Sequence, residues 1–347
     1  MRLEAPRWWY GSRPSDRLKA ALLSPASWLY GFAANARFAL TTPYRSSLPV
    51  ICIGNFTAGG AGKTPLAIYV AQTMPALGCK PAFLTRGYGG RIAGPHQVDA
   101  ERDTADDVGD EALLLARVAP TFVSADRPAG ARAIEASGAD LIIMDDGFQN
   151  PSLFKNLALV VVDEAAGLGN GRVLPAGPLR APLSAQLKRA DAVIAIGGGR
   201  NGTVAAIDSR LPVLEAEIAP AGDVSWLSAD PVLAFSGIGR PSKFFATLER
   251  LGARVIGTAA FPDHHCFSSA EAADLLAKAE AAGARLVTTE KDRVRIGGGD
   301  TMLAKLRARS HTLPITLEMP AESRAMLKDL LLRVFFKNAA SQTAEAD

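Results

Sequence analysis

The chain has 347 residues, 48% of them hydrophobic and 21% charged, with a formal net charge of +3 and three cysteines. That composition supports a sizeable core and about two domains, and it excludes a disordered chain or a small secreted protein built on disulfides. The small positive charge, without aromatic-basic interleaving, gives no ground for a nucleic-acid partner, and Cys52, Cys79 and Cys266 share no metal-ligand spacing.

Residues 1–45 are basic and aromatic. Arg2, Arg7, Arg13, Arg17, Lys19, Arg37 and Arg45 are set against only Glu4 and Asp16, and Trp8, Trp9, Tyr10, Trp28, Tyr30, Phe32 and Phe38 lie among them. The uncharged stretch between Lys19 and Arg37 is interrupted by Ser24, Pro25, Ser27, Gly31 and Asn35, so a spanning helix is not expected. A signal peptide fits poorly because the apolar run starts late. The pattern predicts an interfacial helix, held at a membrane surface by apolar burial and by attraction to anionic lipid. The alternative is a helix packed on the protein's own body.

From residue 48 short apolar runs alternate with helical stretches. Strands are predicted at 48–54, 81–87, 121–125, 140–146, 157–163 and 191–197, with helices at 62–77, 108–118, 127–137 and 182–190. Continuous apolar strands separated by helices indicate a parallel sheet covered on both faces. Segments 203–208 and 213–218 are short and alternating, and predict a linking ribbon. A second series follows, with strands at 231–237, 254–260, 284–290 and 313–319 and helices at 240–252, 269–282 and 321–337. The expected organisation is an α/β, P-loop NTPase-like core over 46–200, a linker over 201–228, a smaller C-terminal α/β domain over 229–338 and a frayed tail over 339–347.

The first strand runs into GNFTAGGAGKTP (54–65). A phosphate cradle needs a strand, a turn whose N–H groups point inward, a helix N-terminus, a lysine and a hydroxyl. All are present, although Thr57 stands where the G-x-x-x-x-G-K-[ST] pattern has its first glycine. Thr57, Gly59, Gly60, Ala61, Gly62, Lys63 and Thr64 are therefore the predicted nucleotide-binding residues, with Lys63 at the β/γ-phosphates and Thr64 on Mg²⁺. The bland alternative is a glycine-rich turn without ligand.

LIIMDDGFQ (141–149) ends a buried strand in Asp145 and Asp146, where open α/β sheets bind ligands and where a Walker-B acid would hold the metal. Adjacent carboxylates repel, so cations or donors must offset them. Asp110 and Glu111 open a helix and could simply complement its dipole. FPDHHCF (261–267) carries two of the four histidines in a loop after a strand, a reasonable acid-base site beside a domain cleft.

In order along the chain, GNFTAGGAGKTP (54–65), RGYGG (86–90), GDEALLLA (109–116), DDGFQN (145–150), GNGRVLPAGPLR (169–180), FPDHH (261–265) and TTEKD (288–292) resemble the landmarks of the tetraacyldisaccharide 4′-kinases, the lipid A 4′-kinases of Gram-negative bacteria. That family's loop likewise tends to carry Ser or Thr at the first-glycine position. The resemblance implies a P-loop kinase that uses ATP and Mg²⁺ to phosphorylate the 4′-hydroxyl of a tetraacyl glucosamine disaccharide 1-phosphate. It implies work at the cytoplasmic face of the inner membrane, reached through the N-terminal segment. By the same resemblance Asp110 would accept the hydroxyl proton and His264 would pair with it across the cleft. Lys63 would neutralise developing charge. Thr64, Asp145, Asp146 and Glu111 are the metal candidates, and Tyr88, Gln149, Asn170, Arg172 and Arg180 the substrate candidates.

Two positions depart from the family's pattern. Its PLR is often followed by Glu, where this chain has Ala181, and its DDGFQ by His, where this chain has Asn150. TTEKD lacks the asparagine and the spacing of a guanine-reading motif, so adenine is the expected base. Rival readings are a membrane-surface P-loop ATPase or regulator without lipid kinase activity, and a soluble metabolite kinase or ligase on the same scaffold.

Overall fold

The computed structural model describes residues 5–60, 62–197, 207, 211–297 and 300–344. Ala61, nearly all of segment 203–208 and the last three residues of the expected tail lie outside the described residues.

The N-terminal segment forms α1 (Pro14–Leu22) and α2 (Ser24–Leu40). The core follows as β1 (Val50–Asn55), α3 (Lys63–Thr73), β2 (Pro81–Thr85), β3 (His96–Gln97), α4 (Ala105–Val108), α5 (Asp110–Ala116), β4 (Thr121–Val123), α6 (Arg127–Glu135), β5 (Leu141–Asp145), β6 (Leu157–Asp163), α7 (Leu183–Leu187), β7 (Ala192–Ile196) and β8 (Val213–Pro220). A second series comprises β9 (Val232–Ser236), α8 (Pro241–Arg250), β10 (Val255–Ala260), α9 (Ser269–Ala281), β11 (Arg285–Thr289), α10 (Glu290–Arg295), α11 (Thr301–Arg309) and β12 (Ser310–Leu313), and β13 (Ile315–Glu318) and α12 (Ala321–Ala344) complete the chain.

Nine strands form one sheet in the order β13-β8-β7-β6-β1-β5-β2-β4-β3, parallel except for β13 and β3 at its edges. β1 is buried at every residue, as its unbroken apolar run requires. Ile51 and Ile53 pack on one face with α3 and α12, while Val50 and Cys52 pack on the other with α6 and α7. β1 lies between β5 and β6, and the chain leaves it for β2 by crossing β5. This is a topological switch point, which leaves a crevice at the carboxyl ends of the strands. The smaller sheet, β10-β9-β11-β12, is parallel throughout and has its own apolar cores.

Several expected boundaries move, each for a local reason. The helix expected at 62–77 gives way at Pro75 to a short 3-10 turn. The one expected at 108–118 breaks at Gly109, whose φ of 86° suits glycine and where a Cβ would lie 2.6 Å from the Tyr88 carbonyl oxygen. The 213–218 segment, expected in a linking ribbon, is instead the sheet strand β8, parallel to β7. The strand expected at 313–319 is two strands: β12 stays with the small sheet, Pro314 interrupts the pairing, and β13 crosses back to pair antiparallel with β8. α12 goes with it, placing Leu327, Leu331 and Val334 in the core of the large sheet. Residues 315–344 therefore complete the large sheet rather than the C-terminal domain, and helix continues through the first residues of the expected tail, to Ala344.

The N-terminal helix packs one face on the protein's own body, the alternative to the interfacial helix expected from sequence. α2 buries Ser27 and Gly31 against the protein: the Ser27 hydroxyl donates to the Val173 carbonyl at 2.8 Å, and a Cβ at Gly31 would sit 3.3 Å from the Pro182 ring. Much of its remaining surface is apolar and open to solvent, with Trp28 81%, Leu29 71% and Phe32 73% exposed, and Arg37 is exposed near its end. No helix among the described residues is long and apolar enough to cross a membrane.

The returning C-terminus makes a test of the sheet assignment. Leu331, 1% exposed in the large core, should cost about 2–5 kcal/mol on truncation to Ala. Hydrogen exchange should then accelerate in β1, β6 and β7. Acceleration confined to β9–β12 would contradict the topology.

Candidate active site

The loop after β1 is shaped by two left-handed glycines, Gly59 (φ 116°) and Gly62 (φ 89°). At Gly62 a Cβ would meet Ile196 Cδ1 at 2.5 Å, so only glycine lets α3 start this close to β7. Thr57 is not left-handed; the non-glycine residues with positive φ among those described are Asp146 and His264. Its backbone runs alongside residues 178–180 instead, pairing with Leu179, while Ala58 donates to the Pro178 carbonyl at 2.8 Å. The position usually given to glycine is here held as extended chain, so a β-branched residue is tolerated. Lys63 and Thr64 are buried in the first turn of α3.

The same 172–180 segment connects the loop to α2. It folds back on itself through Leu174 N–H to Leu179 O and Leu179 N–H to Arg172 O, and Ala176 N–H donates to the Ser27 hydroxyl at 2.9 Å. Arg180 leaves this hairpin to donate to the Thr57 carbonyl at 3.1 Å, to Asp146 at 2.9 Å and to Gln149 Oε1 at 3.2 Å. Gln149 donates to the Asn55 carbonyl at 2.7 Å and to Gln186 at 3.2 Å.

At the end of β5 the two adjacent acids separate in environment. Asp146, just beyond the strand, faces Arg180 and, at 3.8 Å, Lys63. Burial pushes its carboxyl up, but Lys63 and Arg180 outweigh that and hold it below the ordinary range. Asp145 is fully buried and neither carboxylate oxygen has a hydrogen-bond partner. Burial first, then the Glu111 charge, pushes it up to about 7. An orphaned carboxylate in a strand-end crevice is costly unless a cation is meant to meet it.

Across the crevice, α5 presents Asp110 and Glu111. Glu111 lies 3.4 Å from the Thr64 hydroxyl and 2.6 Å from the Lys291 ammonium, whose charge holds it below its usual range. Burial lowers the Lys291 pKa, but Glu111 and Asp110 outweigh it and raise it overall. Asp110 receives its own helix's Glu111 N–H on one oxygen. On the other it holds Arg295, through Nε at 2.7 Å and also through Nη2, and His264 Nδ1 at 3.2 Å. Burial opposes ionisation there, yet the His264 hydrogen bond with the charges of Arg295 and Lys291 wins, leaving Asp110 far below the carboxylate range.

His264 is held in a left-handed conformation (φ 57°) by its N–H to the Gly237 carbonyl at 3.0 Å, and Tyr88 packs edge-on against its ring at 5.4 Å. Behind it, buried Asp292 accepts from Gly237 N–H, the Ser236 and Thr289 hydroxyls and Arg295. Lys291, Asp292 and Arg295 have no site role in the sequence reading, where TTEKD serves as a family landmark and bears on the base. The signal was available: Lys291 and Arg295 are four apart on α10, the spacing that puts two cations on one helix face.

Of the predicted residues, Thr57, Lys63, Thr64, Asp110, Glu111, Asp145, Asp146, Gln149, Arg180, His264 and Tyr88 surround one crevice. Among the described residues, Asn170 and Arg172 do not join them through any hydrogen bond. The Asn170 amide braces its own loop, donating to the Ala176 carbonyl and accepting Arg172 N–H, and the Arg172 guanidinium reaches Ser24 on α2. Ala181 is buried, and its carbonyl accepts from the Gln186 amide at 2.8 Å.

A glycine-shaped loop, a buried lysine and hydroxyl at a helix start, acids at strand ends and an Asp-His pair define a P-loop phosphotransferase of the α/β class. Residues 19–333 match the family model described as tetraacyldisaccharide-1-P 4'-kinase. A tetraacyldisaccharide 4'-kinase of Parvibaculum lavamentivorans is 50% identical over 309 residues, covering 88% of this chain and 90% of the relative. That of Gluconacetobacter diazotrophicus is 47% identical over 98% of this chain and 100% of its own length. Among solved structures, the "apo" form of LpxK from Aquifex aeolicus in complex with ATP superposes with a TM-score of 0.72 at 26% identity, over 91% of this chain and 99% of that one. The chain belongs to the tetraacyldisaccharide 4'-kinase family and is a kinase of lipid A biosynthesis.

The Asp110–Arg295 contact can be weighed directly. Arg295→Met removes the cation from a carboxylate buried to 4% exposure and should destabilise the protein by about 3–5 kcal/mol. Adding Asp110→Asn should recover part of that loss in a double-mutant melting series. Simple additivity of the two costs would mean that the pair is not coupled.

Proposed function

We propose that the crevice transfers the γ-phosphoryl group of ATP to the 4′-hydroxyl of a tetraacyl glucosamine disaccharide 1-phosphate presented at the cytoplasmic face of the inner membrane. The observation that carries this reading is the meeting of Asp110 with His264 at 3.2 Å beside Glu111, which itself contacts Thr64 at the phosphate loop.

In the reaction the sugar oxygen forms a bond to the γ-phosphorus as the bond to the β-phosphate bridging oxygen breaks, and ADP leaves. The hydroxyl proton needs an acceptor before that oxygen becomes a good nucleophile. Asp110 is ionised and accepts it, but a carboxylate held this far below its usual range binds a proton only in passing. The imidazole of His264 is the adjacent sink. Lys63 and Arg180, now shared around Asp146, supply positive charge to the transferring group. Glycines 59, 60 and 62 offer backbone N–H groups to the phosphates. Tyr88, packed on His264, and Gln149 flank the acceptor side.

The residues present suit a magnesium ion. Asp145 is an orphaned buried carboxylate, and the Thr64 hydroxyl and Glu111 add hard oxygen donors. Asp145, Thr64 and Glu111 would hold the ion, with Asp146 a further acid. When bound, Mg²⁺ neutralises the β- and γ-phosphate oxygens. Arg172, on the hairpin that touches α2, and Asn170, just before it, belong to the lipid side, where the acylated disaccharide enters from the membrane. The exposed Trp28, Leu29 and Phe32 face of α2 would be buried among lipid chains there.

Purified protein with Mg²⁺-ATP and the acylated disaccharide in detergent should yield phosphorylated lipid. Hydrolysis of ATP indifferent to the lipid would favour the regulator reading instead. Asp110→Asn should lower kcat about 10²–10⁴-fold with little change in the KM for ATP, and near-normal turnover would remove the base. Trp28→Asp with Phe32→Asp should sharply reduce sedimentation with anionic vesicles while leaving ATP binding intact. Unchanged sedimentation would argue against docking through α2.

A further inference from the structure

On α10, Lys291 and Arg295 reach across to Glu111 and Asp110 of α5. Arg293, between them in sequence, lines a different space: a cavity of about 310 Å³ shared with Ile296, Gly297, Ala304, Arg307 and Ala308. Arg117, the residue that caps α5, belongs to the same electrostatic group. Partial burial lowers its pKa, Glu290 opposes this, and Arg307 and Arg293 lower it further. The positive surplus extends to His311, lowered by burial and then by Arg285 and Arg293. Among the described residues, none of the three guanidinium groups of Arg117, Arg293 and Arg307 makes an ion pair or side-chain hydrogen bond. Arg293 and Arg307 line the cavity itself, and Arg117, at the end of α5 and outside that lining, feels both of their charges, with Glu290 the acid that opposes them there.

We propose that this cavity is a binding site for a phosphate-class oxyanion, separate from the phosphate loop, which bridges Arg117 of the large-sheet lobe and Arg293 and Arg307 of the small-sheet lobe. Guanidinium groups suit it because their planar donors match phosphate oxygens and they stay charged at any working pH. Like charges this close repel, and an anion between them converts the repulsion into attraction. Its position gives the site a consequence. Arg117 closes α5 and Arg293 sits on α10, and these two helices also carry Asp110 with Arg295 and Glu111 with Lys291. An anion held between them ties together the lobes whose contact brings His264 to Asp110. The site does not depend on which hydroxyl the kinase phosphorylates.

The test is thermal melting of the full chain in inorganic phosphate or pyrophosphate, with ionic strength held constant by chloride. The wild type should show a saturable rise in melting temperature. Arg307→Ser and Arg117→Ser, both at exposed positions, should each weaken the apparent affinity of that response at least tenfold, while the rise caused by Mg²⁺-ATP stays the same. Identical phosphate responses in wild type and both variants would overturn the site. A response lost in Arg307→Ser but kept in Arg117→Ser would overturn the bridge between lobes. A parallel arm compares wild type and Arg307→Ser on phosphatidylglycerol and phosphatidylcholine vesicles. A difference seen with phosphatidylglycerol alone supports the site and assigns its anion to a lipid headgroup, whereas a difference seen only with free phosphate assigns it to a soluble ligand.

Discussion

Asp110 is buried as an anion, and its compensation comes from the other lobe of the protein. Arg295 and His264 meet one of its oxygens, while its own helix supplies a single N–H to the other. Separating the lobes would leave a carboxylate without its cation, and a guanidinium without its carboxylate, in surroundings of low dielectric. The ion pair therefore sets the spacing of α5 and α10. The same spacing lets Lys291 reach Glu111 and places Tyr88 against His264. Asp292 stiffens the far side by satisfying Gly237, Ser236, Thr289 and Arg295 at once.

A second chain of contacts runs from the N-terminal helix to the phosphate loop. α2 binds the 172–180 hairpin through Ser27, and the hairpin lies along residues 56–58 and sends Arg180 to Thr57, Asp146 and Gln149. A helix with an exposed aromatic face is thus two hydrogen-bonded steps from Thr57, Asp146 and Gln149. For a kinase of lipid A biosynthesis, this arrangement joins the exposed apolar face of α2 and the glycine-shaped loop through one hydrogen-bonded connector.

Much of the fold was legible because buried parallel strands are continuous apolar runs, and six of them lie close to where 48–54, 81–87, 121–125, 140–146, 157–163 and 191–197 place them. The C-terminus was not legible in this way. The apolar pattern of 313–319 shows that strand follows, but partner choice depends on which open edge is near, and only the folded chain offers β8 to residues 315–318. The same holds at the site. The loop lysine and hydroxyl and the paired acids at a strand end announce themselves by local chemistry. Lys291, Asp292 and Arg295 do not, because their partners are 180, 56 and 185 residues away in the chain.

The sequence by itself determined the α/β class, the phosphate loop and the family, since each rests on spacing within a dozen residues or on motifs in fixed order. Tertiary structure decided that Thr57 can replace a glycine, because its neighbours 178–180 hold it extended. It also decided that Asp145 and Asp146 differ, because cations reach only one of them, and that Asp110 and His264 form a pair. Those outcomes depend on charge, burial and distance between remote segments, which exist only once the chain has closed on itself.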